Sequence, residues 1–204
     1  WGDHEHAFIR PLHWLVVLLG NEVVDMALFG IDSGRITFGH RFHHPGPVQL
    51  GSPGEYVEAL ERARVLVDPV RRADAIAAMV RKSASAVGGA ARIDAGVLEE
   101  VNCLVEWPVA ITCAFGREFL RVPQEALVLT METNQKFFPV LDGSGRLTEH
   151  FIGVANIDST DAAQVRQGYE RVIRPRFADA AFFYDGDRKQ GLSAMNAELA
   201  SVTY

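Results

Sequence analysis

The chain has 204 residues, of which 48% are hydrophobic and 23% charged, and 26 acidic against 20 basic side chains leave a net charge of -6. This composition excludes a disordered, collagen-like or low-complexity chain and suffices for a substantial buried core. The negative balance argues against a protein dominated by a basic nucleic-acid-binding face, although a local basic patch is compatible with it. Two cysteines, Cys103 and Cys113, are too few for a disulfide framework or a four-cysteine zinc site.

No segment of the sequence predicts a membrane span. The longest apolar run, Leu15 to Leu19, is far shorter than the ~20 residues that a membrane helix needs. No signal-peptide pattern is visible, and the chain begins at Trp1 rather than at a methionine. We therefore expect a piece of a longer cytoplasmic protein that makes no membrane contact.

Residues 1–51 alternate strand-like runs with turns and are predicted to form a β-rich part of the core domain. The run 12–19 is followed by Gly20-Asn21, a dipeptide typical of hairpin turns. Asp32-Ser33-Gly34 predicts the turn of a second hairpin, between residues 26–31 and 35–42.

Residues 52–105 have a helical pattern and are predicted to be an insertion in the β-rich domain. Ser52-Pro53-Gly54-Glu55 has the residues of a capping box, with proline at the first helical position. Asp68-Pro69 repeats this start signal, and Gly88-Gly89 is a typical helix end. Asp94 is predicted to cap a third helix.

Residues 106–158 return to a β pattern and form the second predicted β-rich part of the core domain. Residues 159–204 are predicted to form C-terminal helices that lead to a further domain. Pro175 lies inside this helical region and is expected to break or kink it, because proline lacks the backbone donor and clashes with the preceding turn. The predicted fold class is α+β, with an antiparallel β-rich core, a helical insertion and C-terminal helices.

A histidine-rich stretch, His40-Arg41-Phe42-His43-His44, is the first candidate for chemistry. A metal site needs a third or fourth ligand, and no other histidine or cysteine stands at a suitable spacing. A strand end that runs into a polar loop is the main interpretation, and contact with phosphate through His40 and Arg41 is the alternative. Phosphate-binding loops and nucleophile elbows are missing, so the sequence predicts no catalytic centre and no metal.

An arginine cluster departs from the acidic background. Residues 166–176 contain four arginines and one glutamate, a local charge of +3. Arg171 and Arg174 are three residues apart and would share a helix face, while Arg176 follows Pro175, where a kink would redirect it. Guanidinium groups at such a point suit phosphate contacts, because each offers a planar, bidentate set of donors. The other interpretation is an ordinary surface neutralised by nearby acids.

Asn134, Gln135 and Lys136 form a second polar cluster, where a helical pattern gives way to a strand. They are followed by Phe137-Phe138. Amides beside a cation and aromatic rings suit contacts with base edges and stacking on unpaired nucleotides. A turn in which the amides cap the neighbouring backbone explains the pattern equally well.

Several long motifs follow one another in a specific order. They are Phe8–His13, Gly39–Phe42, Leu104–Pro108, Met131–Val140, Phe151–Ile157, Arg171–Ala180, Phe182-Phe183 and Asp187–Lys189. Together they resemble the β subunit of bacterial tetrameric (α2β2) glycyl-tRNA synthetase, and the resemblance covers nearly the whole chain. Residues 52–100 are the least distinctive part.

The resemblance implies a central, non-catalytic piece of a β subunit that recognises tRNA(Gly). In that family the α subunit activates glycine with ATP and Mg²⁺, so no cofactor is expected in this chain. Its partners would be tRNA(Gly), the α subunit and the remaining domains of β. Part of the region also looks like the tRNA-binding B3/B4-type domain of phenylalanyl-tRNA synthetase.

Three hypotheses for the role of the chain follow. In the first, Arg171, Arg174 and Arg176 hold phosphates of tRNA, the 134–136 cluster approaches bases or sugars, and Arg10, His40 and Arg41 are further candidates. In the second, the chain is a structural module whose arginines pair with its own carboxylates and whose last helix docks on neighbouring domains or the α subunit. The third, an editing-like hydrolase, predicts a deep pocket with a titratable group of shifted pKa.

Overall fold

A computed structural model describes residues 12–199 of the chain, and the side chain of Leu199 lies outside that description. The chain divides into two compact units. The first unit extends through Arg72 and the second begins at Ala73.

Short paired strands are the regular secondary structure of residues 12–50 in the first unit. The predicted hairpin at Gly20-Asn21 is confirmed, with Leu18 opposite Val23 and Leu19 opposite Glu22. The predicted turn at Asp32-Ser33-Gly34 is wrong, because these residues lie inside a strand. The turn is at Phe29-Gly30, where both residues have positive φ, as a tight two-residue hairpin turn requires. The strands are β1 (Leu15–Val16), β2 (Leu18–Leu19), β3 (Glu22–Val23), β4 (Ala27–Leu28), β5 (Ile31–Gly34), β6 (Ile36–Phe38) and β7 (Pro47–Gln49).

Among residues 12–72, the strands of the first unit form three separate small sheets. In one, β5 pairs in parallel with β1 and antiparallel with β4, whereas β2–β3 and β6–β7 are antiparallel pairs. A 3-10 turn at Pro53–Glu55 leads into helix α1 (Tyr56–Arg62). The predicted capping box does not form: the Ser52 side chain makes no capping hydrogen bond, and the Glu55 carboxylate accepts the backbone N–H of Gly51, one residue before the N-cap, at 3.0 Å. The fully or almost fully buried apolar side chains of this unit are Leu50, Ala59, Leu60 and Ala63.

Helix α2 (Pro69–Ala86) begins and ends where the sequence predicted. Asp68 accepts backbone N–H groups of Val70 at 2.8 Å and Arg71 at 3.3 Å, and Gly88 after the helix has a positive φ of 80°. Asp94 caps α3 (Ala95–Leu104) in the same way, through the N–H groups of Gly96 and Val97.

A four-stranded antiparallel sheet organises the second unit. Its strand order is β8-β10-β11-β9, and β11 pairs with β9 over six consecutive residues, from His150 opposite Ala114 to Ala155 opposite Val109. Side chains alternate between the two faces of β11, so that Phe151 belongs to one buried cluster and Ile152 to the other. The strands are β8 (Ala90–Ala91), β9 (Val109–Ala114), β10 (Phe138–Leu141) and β11 (Leu147–Ala155).

Helices cover both faces of this sheet. Residues of α2 and α3, such as Ile76, Val80 and Val97, pack with Phe138 and Ile152 on one face. The opposite face packs against Ile173 and Phe177, both fully buried, and against residues of an intervening helical segment. The elements on that face are the 3-10 turn Arg117–Arg121, helix α4 (Gln124–Leu129), the π-helical segment Thr130–Gln135 and helix α5 (Ala162–Gln190), which is followed by α6 (Leu192–Leu199).

The α+β class predicted from the sequence is confirmed, with small, mainly antiparallel sheets and no closed barrel among residues 12–199. The division into segments 1–51, 52–105, 106–158 and 159–204 stays a prediction. The likeness of the core to a B3/B4-type domain also stays a prediction.

Candidate nucleic-acid surface

Helix α5 positions the predicted arginine cluster. Asp161 caps its start by accepting the Gln164 N–H at 3.1 Å, and the helix then runs for 29 residues, with Pro175 inside it. The sequence predicted a break or kink at Pro175, and the structure has no break there. Proline removes one helical donor, but the buried side chains of Ile173 and Phe177 hold the segments on both sides of it against the sheet.

Helical geometry therefore decides which arginines share a side of α5. Arg171 and Arg174 are about 60° apart around the helix axis, whereas Arg176 is about 140° away from Arg171. All three are exposed, while Ile173 and Phe177 between them are buried. The structure thus brings Arg171 and Arg174 together and places Arg176 on a different side of the helix.

Two of the carboxylates that could have neutralised these arginines, Glu170 and Asp185, have other partners. Glu170 accepts the backbone N–H of Ala114 at 3.0 Å. Asp185 accepts two hydrogen bonds from the guanidinium of Arg121, at 2.6 and 2.8 Å, and these bonds lower the pKa of Asp185. Within residues 12–199, Arg171, Arg174 and Arg176 form no ion pair. Their charge is available to an external anion.

Asn134, Gln135 and Lys136 lie at the end of the π-helical segment Thr130–Gln135. Asn134 is exposed, while Gln135 and Lys136 are half-buried. Lys136 has a left-handed φ of 57°, and its ammonium group pairs with Glu100 at 2.7 Å. Its charge is therefore already compensated, which leaves the amides as the better candidates for a contact with a ligand.

The aromatic rings that follow this cluster are not available for stacking. Phe137 is 5% exposed and Phe138 is fully buried, so the suggested base-stacking role of these two rings is wrong. Phe137 instead packs on Tyr169 of α5, with 5.2 Å between ring centroids. Gly153 permits this arrangement, because a Cβ there would lie 2.6 Å from the Tyr169 ring. Arg176, seven residues after Tyr169, lies on the same side of α5.

His40 and Arg41 belong to the first unit, and they differ in exposure. The His40 ring is 1% exposed, and its Nδ1 accepts the N–H groups of Phe42 and His43, both at 3.2 Å. Arg41 is exposed, and its guanidinium carbon lies 5.9 Å from the centroid of the Phe42 ring. A direct contact with tRNA therefore suits Arg41 and not the buried His40. Arg10, a further candidate, lies outside the described residues.

A surface cleft of the second unit has a volume of about 720 Å³. Arg117 on its wall donates to Glu149 at 2.9 Å, and Arg121 is held by Asp185. Asp142 also lines the cleft, and three hydrogen bonds from Ser144 and Arg146 lower its pKa to about 2. These carboxylates are held ionised, which does not suit a general acid or base that must titrate near neutral pH.

Among residues 12–199, no three histidine, cysteine, aspartate or glutamate side chains form a group that could hold a metal ion. None of the helices described for these residues is long and apolar enough to span a membrane.

Phe42 is the residue whose exposure the sequence analysis missed. It is an aromatic side chain that is 70% exposed on a turn. Strand alternation and helical periodicity predict the exposure of residues in regular elements, so they give no signal for a single residue in a turn.

The family model and the individual relatives that match this chain carry the same description. The family model described as glycyl-tRNA synthetase beta subunit matches residues 1–204. Proteins named glycine–tRNA ligase beta subunit match the whole chain, with 59% identity in Xanthomonas campestris pv. campestris (strain B100), 56% in Xylella fastidiosa (strain 9a5c) and 47% in Azotobacter vinelandii (strain DJ). The chain spans 29%, 28% and 30% of the lengths of these relatives.

Proposed function

This chain belongs to the glycyl-tRNA synthetase beta subunit family, and from this premise we propose that it is a non-catalytic, tRNA-recognising part of a glycine–tRNA ligase. In this role it supports the ATP-dependent attachment of glycine to tRNA(Gly). The observation that carries the proposal is the pair Arg171 and Arg174, exposed on one side of α5 without a carboxylate partner among residues 12–199.

The electrostatics of the helix support a phosphate contact. Arg171 and Arg174 lie about one helical turn apart, and each guanidinium can donate two parallel hydrogen bonds to a phosphate. A pair of unneutralised charges on a rigid helix also fixes the position of the backbone they contact, without reading its sequence. Arg176 would hold a phosphate on the adjacent side of α5, and the amides of Asn134 and Gln135 would approach bases or sugar hydroxyls.

In this proposal, other parts of the ligase carry out the chemical steps. The α subunit would activate glycine with ATP and Mg²⁺, and this chain would contact the α subunit or the remaining domains of the β subunit. The assembly would work in the cytoplasm. No catalytic residue is proposed in this chain.

The experiment is a measurement of tRNA(Gly) affinity at several salt concentrations, with the double variant Arg171→Gln and Arg174→Gln in the full-length subunit assembled with its α partner. Each lost phosphate contact should reduce the slope of log affinity against log salt by about 0.7 to 0.9, so the double variant should reduce it by about 1.4 to 1.8. Its affinity at low salt should fall as well.

Arg81→Gln is the matched control. Arg81 is an exposed arginine on α2, and it has no ion pair within residues 12–199. The control should leave the salt slope unchanged. An unchanged slope in the double variant, or an equal loss in Arg81→Gln, would show that the arginine pair on α5 makes no specific phosphate contact.

A second role as an interaction module has its own supporting observation. Phe182 and Phe183 on α5 are 74% and 65% exposed, with 5.6 Å between their ring centroids, and Leu192 on α6 is 85% exposed. Exposed apolar side chains that adjoin on a surface, as the rings of Phe182 and Phe183 do, favour a protein interface. In this role, substitution of Phe182 and Phe183 by serine would weaken subunit assembly, measured by analytical ultracentrifugation, without changing the salt slope of tRNA binding.

An editing-like hydrolase is not favoured. It predicts a deep pocket with a titratable group of shifted pKa, and the pKa of Asp142 in the cleft is shifted downward, to about 2, so this carboxylate is ionised near neutral pH and does not suit a general acid or base.

A further inference from the structure

Gly39 and His40 attach the turn that follows β6 to the end of α1 through backbone contacts. Gly39 lies so close to α1 that a Cβ at this position would stand 2.5 Å from the Cβ of Ala63 and 2.6 Å from its carbonyl oxygen. The next residue, His40, donates its backbone N–H to that carbonyl at 2.8 Å. Gly39 and His40 thus anchor the turn to the end of α1.

The His40 side chain fills the inside of the turn. Its Nδ1 accepts the N–H groups of Phe42 and His43, and its carbonyl accepts the N–H of His44 at 2.8 Å. A buried ring with two backbone donors on one nitrogen holds the turn in a single conformation. The direction in which residues 41 and 42 project is therefore fixed by residues 39 and 40.

Arg41 and Phe42 occupy the outside of the turn. The Phe42 ring is 70% exposed, and the Arg41 guanidinium carbon is 5.9 Å from its centroid. An exposed aromatic ring contributes little to the stability of the turn that carries it, because hydrophobic stabilisation scales with the apolar area removed from water. A rigid turn that presents a ring and a cation side by side is suited to contact with a ligand.

The charge of the surrounding sequence indicates an anionic ligand. Residues 33–54, which lie between Asp32 and Glu55, contain two arginines and three histidines but no aspartate or glutamate, in a chain whose net charge is -6. The other arginine of the segment, Arg35, donates to the backbone carbonyls of Leu50 and Asn21, which are neutral groups and leave its charge uncompensated. A basic segment with an exposed ring fits a nucleic acid better than an apolar protein surface.

We propose that Phe42 stacks on an unpaired base of the RNA while Arg41 contacts the phosphate beside that base. The inference rests on the proposed function and adds a second contact, in the first unit, that reads an unstacked nucleotide rather than the backbone alone. The base must be unpaired, because the faces of paired bases are already covered by their neighbours in the stack. Every base has a face for the ring, so the contact requires an accessible nucleotide and not a particular sequence.

The test compares Phe42→Leu with Phe42→Trp in the full-length subunit assembled with its α partner, using a tRNA(Gly) transcript. Leucine keeps an apolar side chain but removes the aromatic face. It should weaken binding roughly 5- to 100-fold, the range of one lost base–aromatic stack, with an unchanged salt slope. Tryptophan should bind at least as well as phenylalanine. Arg41→Gln should reduce the salt slope by about 0.7 to 0.9, the value for one phosphate.

Leu19→Ala is the control for the loss of an exposed apolar side chain in the same unit, since Leu19 is 76% exposed. It should leave tRNA affinity unchanged. Equal affinity of the Phe42→Leu and wild-type proteins would overturn the stacking proposal. Weaker subunit assembly with unchanged tRNA affinity would also overturn it, because it would show that Phe42 contacts protein.

A photoreactive benzoylphenylalanine at position 42 gives an independent readout. Adducts at an unpaired nucleotide of the tRNA are expected, and adducts on protein or on paired nucleotides alone would overturn the proposal. The arginine variants of α5 in the same binding assay separate the two proposals. A reduced salt slope for Arg171→Gln and Arg174→Gln together with unchanged binding by Phe42→Leu would reject the stacking contact and leave the proposed function intact.

Discussion

The four-stranded sheet of the second unit is held together by burial, whereas the short strand pairs of the first unit depend largely on polar anchors. In the second unit, helices bury both faces of the sheet, and Phe138, Phe151 and Ile152 are completely enclosed. In the first unit, the buried polar residues Thr37 and His40 lie in β6 and just after it, and Leu50 is a fully buried apolar side chain.

The anchors of the first unit are hydrogen bonds from side chains to backbone. Ser33 Oγ accepts the N–H of Met26 and donates to the carbonyl of Val24. Arg35 donates to carbonyls of two separate segments, and the ring of His40 accepts two N–H groups. Such bonds contribute about 0.5–1.5 kcal/mol each, less than the burial of a large apolar side chain. A unit built this way can leave a ring such as Phe42 exposed without losing its own structure.

The strongest test of this contrast is removal of a large ring from the second unit. Phe151→Ala should lower the free energy of unfolding by about 3–5 kcal/mol, because Phe151 is completely buried and stacks on Phe137 with 4.8 Å between centroids. Urea titration would measure the loss, and hydrogen exchange of the β9–β11 amides would localise it. A loss below about 1 kcal/mol would show that the sheet does not depend on this cluster.

A smaller effect is expected when a polar anchor of the first unit is removed. His40→Ala leaves the N–H groups of Phe42 and His43 without their acceptor and should cost about 1–3 kcal/mol. Hydrogen exchange should quicken at residues 40–44. His40→Asn should recover part of the loss, since an asparagine side-chain oxygen can accept N–H groups two and three residues ahead. Equal stability of the alanine variant and the wild type would show that the hydrogen bonds to the His40 ring do not stabilise the first unit.

The smallest effect concerns a polar anchor within the second unit, at the turn between β10 and β11. Hydrogen bonds from Ser144 and Arg146 lower the pKa of Asp142 from 3.8 to about 2. The folded state therefore gains stability above pH 3.8 and loses it as the pH falls towards 2. The melting temperature of Asp142→Asn should be lower than that of the wild type at pH 7, and the difference should vanish near pH 2. A difference that is constant from pH 7 to 2 would contradict this assignment.

Predictions from the sequence were confirmed where a residue interacts with backbone only a few positions away in the chain. The caps at Asp68 and Asp94, the helix end at Gly88-Gly89 and the hairpin at Gly20-Asn21 are confirmed, because each depends on the backbone within a few residues. The family resemblance is also confirmed, because it rests on long motifs and not on geometry. The turn at Asp32-Ser33-Gly34 was wrong, since pairing with β1 and β4 makes these residues a strand.

The candidate surface was predictable in part. The +3 charge of residues 166–176 is visible in the sequence, and so is the spacing of Arg171 and Arg174. The separation of Arg176 from that pair was expected from a break or kink at Pro175, whereas the helix is continuous through Pro175 and its periodicity alone places Arg176 on another side. The pairing of Lys136 with Glu100 was equally hidden, since the two residues are far apart in the chain.

The sequence alone determined the α+β class, the helix caps and the family, because these depend on composition, local hydrogen bonding and motif order. Tertiary structure decided which charges are neutralised and which side chains reach the solvent. It buried Phe137, Phe138 and His40, left Phe42 exposed, and directed Glu170 and Asp185 to partners other than the arginines of α5. Burial and ion pairing join residues that are distant in the chain, and only the folded arrangement specifies those neighbours.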